Sequence, residues 1–251
     1  MSDTDLLKGL IGCLDLTNLN DDCDSAAIAA LCAKAQTPHG NVAAVCIWPR
    51  FVAEAKDLLS GTGIKVVTVV NFPDGGEDTL AVEADTRQAL ADGADEIDLV
   101  MAYKALAEGR PGFAETQIVR IKRICGDAVL KVILETGALQ DAETIRKAAD
   151  VALAAGADFL KTSTGKVATN ATLEAAEILL TAIAETDNTI GFKPAGGIKT
   201  SSDAVAYFDV AKRIRGDAAP NPALFRLGAS SVLDAMIASI EGREETKGAG
   251  Y

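Results

Sequence analysis

Ala91-Asp92-Gly93-Ala94-Asp95-Glu96-Ile97-Asp98 aligns without a gap on Ala154-Ala155-Gly156-Ala157-Asp158-Phe159-Leu160-Lys161. In each copy an alanine-rich helical stretch stops at a glycine and an apolar strand starts at once. That is the helix-to-strand step of a βα unit, with the glycine taking the left-handed backbone of the helix stop. Asp98 and Lys161 fall at the same position of their copies. In equivalent strands of one barrel, alternation turns both side chains to the same face, so an acid and an amine meet inside. A shared helix stop with no further meaning would explain the glycines, but not ionisable residues where apolar ones are expected.

Working outward from this pair, eight apolar strand-like runs recur along the chain, at 10–16, 41–48, 65–72, 96–101, 128–135, 159–165, 191–197 and 224–230. Stretches of good helix formers with helical spacing separate most of them, such as 51–59 and 143–155. Strands that are apolar almost throughout, alternating with helices, imply parallel pairing under a helical cover. A length of 251 residues fits one eight-stranded α/β barrel, the (β/α)8 or TIM barrel, as a single domain over 1–251. A doubly wound open sheet is the competing architecture. It is weaker because no G-x-G-x-x-G follows the first strand and no G-x-x-x-x-G-K-[ST] occurs. The segments 183–189 and 217–223 read as loops.

With 49% apolar but only 4% aromatic residues, the interior is one of Ala, Val, Leu and Ile. No apolar run approaches membrane length. The acidic start, Met1-Ser2-Asp3-Thr4-Asp5, lacks a signal-peptide pattern, and a cytoplasmic location is expected. A net charge of -12 argues against nucleic acid as a partner. Five cysteines, at 13, 23, 32, 46 and 125, include no C-x-x-C pair and suggest neither a disulfide framework nor a thiolate zinc site. Cys46 either reaches the pocket mouth or is a buried apolar thiol, the second being favoured. The single histidine, His39, lies in a turn before the second strand and reads as a surface residue. A Ser-His-Asp triad and a histidine-ligated metal are thereby disfavoured, while a carboxylate-held magnesium stays open.

The chemistry is left to lysine and carboxylate. In Phe159-Leu160-Lys161-Thr162-Ser163-Thr164-Gly165-Lys166, Lys161 lies in a short strand that ends in a Thr/Ser/Gly loop. An ammonium inside a packed sheet loses hydration, its pKa falls, and the free amine becomes a usable nucleophile. Gly165 and Lys166 then offer backbone and charge for a phosphate. On this segment alone, an edge-strand lysine facing water is as good a reading. Gly191-Phe192-Lys193-Pro194-Ala195-Gly196-Gly197 brings a second strand lysine, and Gly228-Ala229-Ser230-Ser231 ends the last strand. Loops after strands seven and eight of such barrels frequently hold phosphate, although tight turns alone would also call for these glycines. Lys193, if inward, lowers the pKa of Lys161 by repulsion. Lys161, Lys166, Lys193 and Lys199, all at or just past strand ends, make the pocket locally basic. Lys131, inside the fifth strand, pairs with Asp98 or Glu135 and tunes the site, or forms a structural ion pair; the second is slightly favoured.

Lys161 to Lys166, Gly191 to Gly197, Ala94 to Asp98, Asp15-Leu16-Thr17 and Lys131-Val132-Ile133-Leu134-Glu135-Thr136-Gly137 together resemble the deoxyribose-phosphate aldolase family, most closely its bacterial, enterobacterial-type branch. The likeness spans essentially the whole chain. It implies a metal-free and cofactor-free class I aldolase that cleaves 2-deoxy-D-ribose 5-phosphate reversibly to D-glyceraldehyde 3-phosphate and acetaldehyde, in deoxyribonucleoside catabolism. Carried over, it makes Lys161 the Schiff-base lysine, Lys193 the neighbouring cation and Asp98 an acid/base acting through water. Asp15 and Thr17 match substrate-hydroxyl contacts, although Thr17 or Asn18 could instead cap a helix. Gly165, Lys166, Gly196, Gly197, Gly228, Ser230 and Ser231 match the phosphate site. The resemblance also implies a flexible C-terminal tail at about 241–251 whose terminal Tyr251 reaches the site during enamine protonation. A homodimer is an open expectation. Another Schiff-base phosphosugar aldolase or transaldolase, and a noncatalytic phosphosugar-binding barrel, are the alternatives.

Overall fold

The two near-repeats fold alike. In the computed structural model, which describes residues 2–139, 141–186, 189–216 and 218–245, the helices Thr79–Ala91 and Ala142–Ala154 both stop before a glycine of positive φ, Gly93 at 101° and Gly156 at 87°. The next amide then bonds back into the last helical turn, Ala94 to the Ala89 carbonyl at 3.0 Å and Ala157 to the Ala152 carbonyl at 3.1 Å. The following aspartate repeats as well. Asp95 accepts the Val66 amide at 2.8 Å and a Lys56 ammonium at 2.9 Å. Asp158 accepts the Leu130 amide at 2.7 Å and the Lys122 ammonium at 2.5 Å. Each carboxylate thus ties its own strand's entry to the preceding strand and to a helix of the outer layer.

Among the described residues, eight strands pair in parallel: β1 (Leu14–Asn18), β2 (Ala44–Ile47), β3 (Lys65–Val70), β4 (Glu96–Val100), β5 (Val129–Ile133), β6 (Phe159–Lys161), β7 (Gly191–Lys193) and β8 (Leu227–Ala229). They run in the order β8-β1-β2-β3-β4-β5-β6-β7, and the ring closes through bridges from Phe192 to Phe225 and from Ala195 to Gly228. Around them lie α1 (Asp3–Ile11), α2 (Ser25–Lys34), α3 (Val52–Leu58), α4 (Thr79–Ala91), α5 (Tyr103–Ala107), α6 (Pro111–Cys125), α7 (Thr136–Leu139), α8 (Ala142–Ala154), α9 (Leu173–Thr186), α10 (Ser201–Arg215) and α11 (Val232–Ile240). The barrel expectation is met. None of these helices is long and apolar enough to cross a membrane.

The first strand begins later than expected, because Leu10 and Ile11 belong to α1. Ser2 caps that helix, accepting the Asp5 amide, and Leu7, Leu10 and Ile11 recur at helical spacing on its buried side; a short apolar run alone does not separate this from a strand. Gly40–Asn41 pair with Gln36–Thr37 in a small antiparallel hairpin, so the second barrel strand starts at Ala44. Residues 183–186, expected as loop, continue α9, with Ile183 fully buried and the Thr186 hydroxyl donating to the Ala182 carbonyl at 2.9 Å. The expected tail opens with residues that fold back, the Glu245 carboxylate accepting the Ser239 hydroxyl at 2.5 Å and the Ser201 amide at 3.2 Å. Tyr251 lies outside the described residues.

Alternation sorts the strand residues into two environments. Val45, Ile47, Val66 and Val70 pack outward under the helices, while Ala44, Cys46, Val67 and Val69 form a separate apolar cluster with Leu19, flanked by Trp48 and Phe72. This second cluster is one wall of the barrel lumen; the other is charged. Phe159 forms part of the lumen floor, its ring 5.9 Å from the Lys131 ammonium and 5.8 Å from the Arg226 guanidinium. It leaves no room at Gly191, where a Cβ would come within 2.2 Å of Phe159 Cε1. Gly191→Ala is therefore expected to destabilise the barrel by about 1–3 kcal/mol through overpacking, read as a lower urea midpoint at unchanged slope. An unchanged midpoint would show that the ring can move aside.

Candidate active site

The charged wall is built by strand residues of matching parity. Asp98 of β4 lies opposite Lys131 of β5, Lys131 opposite Phe159, and Lys161 of β6 opposite both Ile133 and Lys193 of β7. The barrel stagger thus sets Lys161 two residues further along than the place opposite Asp98, which preserves the face. The aligned positions are offset in space, yet the side chains meet: Lys161 Nζ lies 2.7 Å from Asp98 Oδ2.

Asp98 is the hub. Its Oδ2 also accepts from Lys193 at 2.8 Å and its Oδ1 from Lys131 at 3.1 Å. Lys193 reaches Asp15 of β1 at 2.5 Å, and Asp15 in turn accepts from Arg226, just before β8, at 2.6 Å. Arg226 also grips Glu96 at 2.8 Å, and Lys131 forms an ion pair with Glu96 and lies 3.7 Å from Asp15. Lys131, Lys193, Asp15 and Asp98 are wholly buried, and Lys161 is 3% exposed.

These neighbours separate the lysines chemically. Burial lowers the pKa of Lys161; Asp98 opposes that shift, and the Lys193 charge adds to it. Lys193 is also penalised by burial, but Asp15 and Asp98 together hold its pKa well above the ordinary value. Burial acts to raise Asp98, and the three surrounding ammonium groups overcome it, keeping the carboxyl well below its usual range. The result is an amine that holds its proton less firmly than an ordinary lysine, beside a firmly held cation and a firmly held carboxylate. That set can form a Schiff base and move protons. Cys46 faces the same lumen, where burial raises its thiol pKa.

Beyond the strands, the Thr162 hydroxyl accepts the Ala195 amide at 3.0 Å, joining the loops after β6 and β7. Glu135, at a φ of 56°, accepts the Thr164 amide at 3.2 Å and hydroxyl at 2.5 Å. The Thr164 hydroxyl in turn accepts the Lys166 amide at 3.0 Å, and Lys166 Nζ spans to the Leu19 carbonyl at 2.9 Å. Gly165, Gly196 and Gly197 have φ of 87°, 81° and 84°, a backbone that side chains strain. At Gly228 a Cβ would meet Ala195 Cβ at 2.8 Å and Lys193 Cε at 3.1 Å, so glycine there lets β8 close against the lysine strand. Ser231 stands at the N-cap position of α11 without a side-chain capping bond, and its buried hydroxyl has no hydrogen-bond partner among the described residues.

The family profile for DeoC/LacD family aldolases matches residues 10–235. The chain belongs to the DeoC/LacD aldolase family. A deoxyribose-phosphate aldolase of Agrobacterium fabrum is 50% identical over 241 residues, covering 95% of this chain and 93% of that protein. A Toxoplasma gondii ME49 structure provisionally named a deoxyribose-phosphate aldolase superposes with a TM-score of 0.87 at 27% identity, covering 97% of this chain and 99% of that one. A similarly named Coccidioides immitis structure gives 0.82 at 29% identity, covering 93% and 86%.

Within this family member, Lys161, Lys193, Asp98 and Asp15 come together as one buried cluster. Thr17 is no helix cap: its hydroxyl donates to the Asp15 carbonyl at 2.8 Å, and α2 is capped by Asp24. Both Asp15 oxygens are held by cations. Lys131 pairs with Glu96 and Asp98, not with Glu135, which lies beyond the strand end and turns to Thr164. Lys199 is exposed on the loop leading to α10. His39 is half-buried, its Nε2 3.2 Å from Glu241. Arg226 and Glu96 were not among the expected site residues. The signal was parity, since Glu96 stands two residues before Asp98 and Arg226 two before Gly228.

Proposed function

We propose that this aldolase cleaves 2-deoxy-D-ribose 5-phosphate reversibly to D-glyceraldehyde 3-phosphate and acetaldehyde, with Lys161 as the Schiff-base lysine. The observation that carries the reading is the asymmetry between the paired lysines: among the described residues Lys193 grips two carboxylates, while Lys161 has only the oxygen of Asp98 that Lys193 shares. The Lys161 amine adds to the C1 aldehyde, and loss of water from the carbinolamine gives an iminium. As the C3 hydroxyl loses its proton, the C2–C3 bond breaks and its electron pair flows into the iminium, leaving an enamine. Glyceraldehyde 3-phosphate departs. The enamine takes a proton at C2, and water hydrolyses the new iminium to acetaldehyde and free amine. The iminium itself is the electron sink, so no cofactor enters the scheme.

Asp98, through a water, accepts the C3 hydroxyl proton, with Lys193 as the adjacent proton reservoir. Once Lys161 is an iminium it donates less to Asp98, whose carboxylate becomes the more basic for that step. The apolar wall of Ala44, Cys46, Val67 and Val69 suits the two-carbon fragment, which carries no hydroxyl. Gly165, Lys166, Gly196, Gly197, Gly228, Ser230 and Ser231 hold the phosphate, and Asp15 and Thr17 lie on the hydroxyl side. The reading includes a cytoplasmic enzyme, a homodimer and a Tyr251 that assists enamine protonation.

The test is to incubate the protein with 2-deoxy-D-ribose 5-phosphate and quantify both products, in parallel with ketose phosphates. Cleavage of a ketose phosphate and not of the deoxyribose ester would overturn the substrate assignment. Replacing Ser231 by Asp sets a negative charge against the phosphate dianion, and like charges in a partly desolvated site repel strongly. The variant is expected to lose roughly 10²-fold in kcat/KM for the phosphorylated sugar while little affecting plain deoxyribose. Equal losses on both substrates would show that the phosphate binds elsewhere.

A further inference from the structure

Seven ionisable groups form one continuous chain of contacts in the lumen: the basic side chains Lys131, Lys161, Lys193 and Arg226, and the acidic side chains Asp15, Glu96 and Asp98. None is more than 6% exposed. Four positive groups against three negative ones leave one surplus positive charge, and a buried surplus is costly. Arg226 cannot yield its proton, because a guanidinium stays charged in proteins. Among the described residues, Lys131 and Lys193 each touch at least two carboxylates and Lys161 touches one, so Lys161 is the cation least compensated. We propose that Arg226 and Glu96, which stand on the floor of the lumen away from the reacting amine, are positioning residues that set the charge balance and thereby select Lys161 as the lysine left neutral.

The other titratable groups facing Lys161 fit this count. Cys46 is held as a neutral thiol by burial. Glu135, at the end of β5, has both oxygens engaged by Thr164; burial raises its pKa against those hydrogen bonds and the Lys161 charge, and it makes no ion pair with the seven groups among the described residues. The directions of the shifts agree, with Lys161 lowered while Lys131, Lys193 and Arg226 are raised. The inference rests on the reading of Lys161 as the Schiff-base lysine.

The test measures the pH dependence of acetaldehyde trapping with cyanoborohydride, with the adduct located by peptide mass mapping, in the natural protein and in Arg226→Met, Glu96→Gln and the double variant. Removing Arg226 lets Lys161 keep its proton, so the midpoint for trapping is expected to rise by about one pH unit. Removing Glu96 enlarges the surplus, and the midpoint is expected to fall by about the same amount. The double variant restores the balance, and its midpoint should return close to that of the natural protein. Opposite shifts that cancel are not what loosened packing produces. If Arg226→Met does not fold, a lowered midpoint in Glu96→Gln that returns in the double variant carries the same conclusion. An adduct on Lys161 whose midpoint stays put in the variants would overturn the inference alone. An adduct on a different lysine would overturn the reading of the site and the inference with it.

Discussion

Asp98→Asn is expected to lose about 10²- to 10⁴-fold in kcat for deoxyribose phosphate cleavage, because the amide keeps the shape of the side chain and loses its capacity to carry a proton. Asp98 is the carboxylate on which Lys131, Lys161 and Lys193 converge, so stability is expected to fall by about 3–5 kcal/mol as well. The two effects separate by measurement. Without the carboxylate that favours its ammonium form, Lys161 stays at least as neutral as before, so trapping of the amine by acetaldehyde should persist while turnover collapses. Urea unfolding reports the stability loss independently. Retained turnover in a folded Asp98→Asn protein would remove Asp98 from the proton path.

Lys193→Met acts by the opposite electrostatics. Its ammonium lowers the pKa of Lys161 and competes for Asp98 Oδ2; its removal raises the Lys161 pKa on both grounds. The acidic limb of the pH–rate profile is expected to move up by at least about one unit, a rate loss at neutral pH of about tenfold or more that raising the pH partly recovers. Asp15 loses its closest ammonium partner at the same time, and a loss of stability is expected. The checks are the pH profile and a direct titration of the Lys161 amine. A profile that falls in height without moving along the pH axis would contradict coupling between the two lysines.

The repeat around Gly93 and Gly156 made the barrel legible because helix stop and strand start are local events with local chemistry. Parity made Asp98, Lys161 and Lys193 legible as one face, since alternation survives any even offset between strands. The extent of the stagger was not legible: it is fixed by closure of the whole ring, and no segment carries it. Leu10 and Ile11 were misplaced because a short apolar run reads alike in a buried helix face and in a strand, and only the Ser2 cap distinguishes them. Residues 183–186 read as loop in the sequence although Ile183 is buried, since the polar run that begins at Glu185 blurs the helix end. Arg226 hides beside apolar neighbours in Leu224-Phe225-Arg226-Leu227, and its partners Asp15 and Glu96 lie 211 and 130 positions away in sequence. Such pairing exists only after the ring has closed.

Reduction of the enzyme–substrate mixture with borohydride, followed by peptide mass mapping, tests the central claim most directly. Incubation with 2-deoxy-D-ribose 5-phosphate or acetaldehyde is expected to leave a single covalent adduct on Lys161 and to abolish activity in proportion to labelling. A stable adduct on Lys193, or no adduct in protein that turns the substrate over, would contradict it.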